Sequence, residues 1–148
     1  MIQRAYDKLE IPYMLDEGAF APEKAHEDDA GYDIRTPFGF LLDKKATIDT
    51  GVHVLIPPGY VGMLKAKSGL NVNFDIVGEG VVDAGYTGSI KVKLYDLDYT
   101  DQKSAYYFER GDKIIQLVIM PIPRTSMKQV KRFEKTDRGN NGFGSTGR

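Results

Sequence analysis

The sequence predicts an all-β domain, a barrel or a sandwich, from three observations. Short apolar–polar alternations recur along the chain, turn residues separate them, and no long stretch repeats at the helical 3.6-residue period. Strands this short and this closely spaced need a second layer, or closure on themselves, to bury one face each.

Taken in order, Val52, Val54 and Ile56 alternate and run into the turn Pro57-Pro58-Gly59. Val61, Met63 and Lys65 alternate against Gly62 and Leu64, and residues 69–75 can form a short helical turn. The stretch VGEGVVDAGYTG, 77–88, reads as a β-hairpin whose glycines let another group approach the backbone closely. Ile90, Val92 and Leu94 then alternate with Lys91 and Lys93. The run IIQLVIM, 114–120, is nearly all apolar and stops at Pro121, as a strand buried on both faces would. The last eleven residues, RGNNGFGSTGR, hold Phe143 as their one large apolar group. They cannot build core alone, so the expected organisation is a core over residues 1–137 and a mobile arm over 138–148.

Composition narrows the function classes. The 148 residues suit one domain, 41% are hydrophobic and 28% are charged. No apolar run approaches the roughly 20 residues of a membrane span, and the N-terminal stretch lacks a signal-peptide core. With no cysteine there is neither disulfide nor thiolate chemistry, which favours a cytoplasmic, intracellular setting, viral or phage origin included. His26 and His53 are far apart and read as isolated structural histidines. Net charge is −1, so stable nucleic-acid binding is not implied. Residues 1–30 nevertheless hold eight acids against three bases, and residues 124–148 seven bases against two acids. A basic, glycine-rich end suits an anionic ligand; a solvated tail is the plainer reading.

Five segments can carry chemistry. In AGYDI, 30–34, Asp33 follows Gly31 and reads as a turn cap or a functional carboxylate. In KAKSG, 65–69, Lys67, the Ser68 hydroxyl and the Gly69 amide can together hold a phosphate. A Walker loop is excluded there, because Ala66 occupies the required glycine. In GVVDAGYTG, Asp83 is either a general base or a turn aspartate. In RGDKIIQL, 110–117, Gln116 sits in an apolar strand and needs a hydrogen-bond partner, structural or ligand. The tail segment GFGSTG matches a dinucleotide fingerprint but has no helix after it.

In this order and spacing the five segments resemble the motifs of the trimeric deoxyuridine triphosphate nucleotidohydrolases, the dUTPases. The resemblance spans residues 30–147 and is most specific in the tail. It implies a jelly-roll β-barrel of the β-clip type, a homotrimer with three shared sites, and Mg²⁺-assisted hydrolysis of dUTP to dUMP and pyrophosphate. In such enzymes the glycine-rich tail closes over a neighbouring subunit's site, so no helix need follow its glycines.

Carried over residue by residue, the resemblance makes Asp83 the base that orients and deprotonates the water attacking the α-phosphorus. Tyr86 lies against the deoxyribose. The backbone from Gly78 through Gly80 and Val81 to Val82 reads the uracil edge, and Lys91 closes the pocket floor. Lys67, Ser68, Gly69 and Gln116 contact the phosphates, and Asp33 holds a Mg²⁺-bound water. Arg138 pairs with the γ-phosphate, Phe143 stacks on uracil, and Gly144, Ser145 and Thr146 complete the phosphate loop.

Four positions depart from the family pattern. Lys67 replaces an arginine, so a two-pronged phosphate contact becomes a point charge. Thr87 stands for an arginine, Val77 for an asparagine beside the base, and Asn141 for a tail glycine. The rival readings are a dCTP deaminase-like enzyme of the same fold and a dUTP-sensing protein; a regulatory protein partner is compatible with either.

Overall fold

A computed structural model describes residues 8–102, 105–144 and 147. It contains eleven strands and one short helix among the described residues. The strands are β1 (Tyr13–Leu15), β2 (Gly31–Arg35), β3 (Phe40–Leu42), β4 (Lys45–Asp49), β5 (Val52–Val54) and β6 (Tyr60–Lys65), followed by helix α1 (Ser68–Phe74). Beyond the helix come β7 (Ile76–Val77), β8 (Gly80–Val82), β9 (Lys91–Asp96), β10 (Tyr106–Phe108) and β11 (Lys113–Pro121).

Four small sheets curl around one core. Their strand orders are β2-β11-β6-β8, β4-β9-β7, β1-β5 and β10-β3. Every ladder among the described residues is antiparallel, and strands distant in sequence pair, as in a jelly-roll barrel. Ile34, Leu42, Ile48, Val52, Leu64, Ile76, Val92 and Phe108 come from different strands and share one buried cluster. No helix among the described residues is long and apolar enough to cross a membrane.

The expected alternations form strands, with one change of face. In β6 it is Gly62 and Leu64 that are buried, while Val61 and Met63 are only partly covered. In β9 the expected set, Val92 and Leu94, faces inward and Lys91 and Lys93 face out. β11 is central in its sheet, but only Ile114, Ile115 and Leu117 are fully buried; by Met120 the strand is exposed.

Two expectations need correction. Gly31 does not make a turn: it is the first residue of β2 and its φ is not positive. Asp33 is therefore a mid-strand residue, not a turn cap. The stretch 77–88 is also not a hairpin. β7 pairs with β9 in one sheet and β8 pairs with β6 in another, so Gly78 marks a crossing between sheets. Gly78 is buried there, and a methyl group built on it would lie 2.8 Å from the Lys93 carbonyl oxygen and 2.9 Å from Ile115 Cδ1. Backbone cannot retreat as a flexible side chain can. Gly78→Ala is expected to lower unfolding free energy by about 1–3 kcal/mol, read from the urea midpoint.

After Pro121 no described residue belongs to a strand or helix, and Met127, Phe133 and Phe143 are exposed. The last strand ends at Pro121.

Candidate active site

A break in one ladder assembles the first group of candidate side chains. Along β11, Gln116 lies opposite Asp33 of β2 and opposite Lys65 of β6, so the three share one face. With an unbroken register Lys113 would fall opposite Thr36 and point to the other face. A β-bulge intervenes: Lys113 pairs with Arg35 and Ile115 with Ile34. The extra residue lets Ile114 and Ile115 both enter the core and turns Lys113 onto the Asp33 face.

Asp33 is the anionic centre of this group. Its side chain is nearly buried; one oxygen meets the Lys67 ammonium and the other lies 2.9 Å from Lys113 Nζ. Burial pushes its carboxyl up, but hydrogen bonds and charge from Lys67 and Lys113 outweigh burial and hold it below the ordinary 3.8. A carboxyl lowered on folding adds stability that is complete above its unfolded value and is lost as pH falls through its folded value. Between about pH 5 and pH 3 the urea midpoint is therefore expected to fall for the wild type. The Asp33→Asn variant should start lower and fall less steeply.

Gln116 also finds its partner here. Its amide donates to the Ala66 carbonyl at 3.0 Å and fixes the segment that carries Lys67. Gly31 leaves room for that side chain, since a methyl group at Gly31 would lie 2.5 Å from Gln116 Oε1. Ser68 and Gly69 open α1 and are exposed, with first-turn amides that have no partner inside the helix. No methyl built on Gly69 would meet any atom within 4 Å. Lys67, Ser68, Gly69 and Gln116 are thus gathered at one end of β6, beside Asp33.

Asp83 and Tyr86 are elsewhere. β8 runs antiparallel to β6, with Gly80 opposite Leu64 and Val82 opposite Gly62. Asp83 continues past Val82 toward the start of β6, and Gly85 N–H donates to the Ile56 carbonyl at 3.1 Å. At about 3.3 Å per residue, roughly 15–20 Å of strand separates Asp83 from the Lys67–Gln116 end. β8 is an edge strand, so the outward N–H and C=O groups of Gly80, Val81 and Val82 have no ladder partner among the described residues. Val81 and Tyr86 are exposed, and the Tyr86 hydroxyl donates to the Ser89 carbonyl at 3.0 Å. Lys91 opens β9 in the other sheet, opposite Asp49.

The tail residues form a third group. Arg138 Nε donates to the Asn141 carbonyl at 2.9 Å, and Asn141 N–H returns a bond to the Arg138 carbonyl at 3.0 Å. Gly139, Phe143 and Gly144 have positive φ, so this segment curls on itself. Phe143 is wholly exposed and covers nothing on its own chain. Ser145 and Thr146 lie outside the described residues.

The sequence reading missed Lys113. Its signal is two successive isoleucines ahead of a glutamine in one strand, a pattern that only a bulge reconciles with a single buried face. No group of three or more acidic, histidine or cysteine side chains able to hold a metal exists among the described residues. Both Asp33 oxygens already face ammonium groups, so the described residues offer a divalent ion no ready-made cage.

Comparison with known proteins identifies the family. The dUTPase family model matches residues 18–147. The deoxyuridine 5'-triphosphate nucleotidohydrolase of Tropheryma whipplei (strain Twist) is 35% identical over 140 residues, covering 91% of this chain and 94% of that protein. The Mus musculus protein of the same name is 33% identical over 149 residues, covering 98% and 90%. Among solved structures, a mutant dUTPase of Staphylococcus bacteriophage 80alpha with dUpNHpp superposes with a TM-score of 0.87 at 33% identity, covering 95% of this chain and 99% of that one. A mutant dUTPase of S. aureus phage phi11, described as coordinating a structural Mg(II) ion, gives 0.76 at 35% identity over 86% and 100%. With a barrel of this topology and a family match running over residues 18–147, the chain belongs to the dUTPase family.

Proposed function

We propose that the chain hydrolyses dUTP to dUMP and pyrophosphate, in sites that each draw on more than one copy of the chain. The reaction is that of the family, and it keeps uracil nucleotide out of DNA while supplying dUMP. One observation carries the shared site: Asp83 and the Lys67–Gln116 group sit at opposite ends of β6. A base must come within one water of the phosphorus it serves. The triphosphate is shorter than the distance along β6, so an Asp83 serves phosphates held by a neighbouring copy. A closed ring of three supplies every copy with a neighbour, so the assembly of this reading is a homotrimer.

In this reading the free edge of β8, from Gly80 to Val82, bonds the uracil edge, and Tyr86 flanks the sugar. A wrong base leaves backbone groups unpaired, at about 1–3 kcal/mol each. Lys67, Ser68, Gly69 and Gln116 hold the phosphates. The arm 138–148 closes the site, with Arg138 on the γ-phosphate, Phe143 on the base and Gly144, Ser145 and Thr146 around the phosphates. A Mg²⁺ ion carried by the triphosphate would offset part of its charge, and Asp33 would accept from one of the waters that such an ion keeps. The sites fit this small nucleotide, and a regulatory protein partner is a separate matter.

The deciding assay gives the purified protein dUTP or dCTP with Mg²⁺ and measures pyrophosphate and ammonia. Pyrophosphate from dUTP alone is expected. Ammonia from dCTP would select the deaminase reading, and tight dUTP binding without turnover the sensing one.

A further inference from the structure

The loop that carries Asp83 and Tyr86 is fastened to the barrel by a histidine. His53 projects from β5, opposite Met14 of β1. Its Nδ1 lies 2.7 Å from the Thr87 carbonyl oxygen and its Nε2 lies 3.1 Å from Asp16 Oδ1. Both partners are acceptors only. A neutral imidazole has one N–H and satisfies one of them; an imidazolium has two and satisfies both.

The surrounding charges favour the cation. Asp16 follows β1, and Asp49 closes β4. Lys91 of β9 faces Asp49, and the Arg110 guanidinium donates to the Gly18 carbonyl, two residues beyond Asp16. The Thr87 carbonyl first, then the Asp16 carboxylate, raise the His53 ring above its ordinary 6.5. Asp49 also holds the loop's other end, accepting from the Ser89 hydroxyl and from Gly51 N–H.

We propose that His53 is a positioning residue for the Asp83–Ser89 loop: as an imidazolium it ties Thr87 to Asp16, and as a neutral ring it releases one of them. The ring, and with it the loop that carries Tyr86 and Asp83, is then held by one bond fewer. This explains how a threonine is accommodated at position 87, since the contact uses its backbone oxygen and not its side chain. The inference rests on the proposed reaction only for its effect on turnover; the tie itself has an independent readout.

The sign is fixed by the raised value. The tie is complete at low pH and is lost as pH rises through the folded-state midpoint of His53. His26 is the only other histidine, so a His26→Gln background leaves a single ring signal for NMR. In the full-length protein the His53 ring should titrate with a midpoint above 6.5, and the Tyr86 and Thr87 amides should follow the same midpoint. Asp16→Asn should lower that midpoint. The dUTP kcat/KM should fall about two- to fivefold across it, the scale of an exposed ion-pair contact, and His53→Gln should remove the inflection. A ring that titrates at or below 6.5, loop amides that ignore it, or a His53→Gln profile that keeps the inflection would each overturn the proposal. If the amides follow the ring and dUTP is not hydrolysed at all, the tie stands and the proposed reaction fails.

Discussion

Asp83→Asn is expected to lower dUTP turnover by about two or more orders of magnitude while leaving the fold and nucleotide binding in place. Asparagine keeps the shape of the side chain and loses the capacity to take a proton from water. The substitution is also benign structurally. Asp83 is exposed, and the bond that shapes its turn comes from its backbone: Tyr86 N–H donates to the Asp83 carbonyl at 3.2 Å. The melting temperature should therefore barely move, and a non-hydrolysable dUTP analogue should bind with near wild-type affinity in calorimetry. Near wild-type turnover in the purified variant would remove Asp83 from the chemistry.

Truncation after Asp137 is the second large effect. Phe143 is fully exposed, and the described hydrogen bonds of Arg138, Gly139 and Asn141 run to Thr136 or to each other. Removing them uncovers no core, so the melting temperature should shift by no more than a few degrees. Activity should fall by about two orders of magnitude or more, because in the proposed site the γ-phosphate and base would lose their cover to bulk water. A truncated protein that melts far earlier would make the arm a structural element instead.

How much of this was legible in the sequence depends on which force acts. Val52, Val54, Val92 and Leu94 announce their strands because alternation matches the pleat, and the apolar run at 114–120 announces a central strand. β1, β3 and β10 gave no such signal. Each has three residues and finds its partner across the barrel, so pairing and not local pattern decides it. The apparent hairpin at 77–88 failed for the same reason. Its glycines suggested a turn, whereas Gly78 is small because β9 presses against it.

The site was legible residue by residue but not as geometry. Lys67, Gln116 and Asp33 were all nominated by motif, yet Lys113 joins them only through a bulge that periodicity cannot reveal. His53 looked isolated because its partners, Asp16 and Thr87, are 37 and 34 residues away along the chain. The distance between Asp83 and the phosphate group is likewise a property of the β6–β8 register, hidden until the strands pair.

That distance is the basis of the shared site, and mixing two inactive variants tests it directly. One partner carries Asp83→Asn; the other carries Lys67→Ala with Gln116→Ala. Each alone should be nearly inactive. When the two are unfolded together in equal amounts and refolded, random assembly into a closed ring leaves about one site in four with an intact Asp83 from one chain and an intact phosphate group from its neighbour. Recovery of about a quarter of wild-type dUTP hydrolysis is the predicted result. A mixture that forms mixed assemblies yet stays as inactive as its parents would place the whole site on one chain and contradict the account.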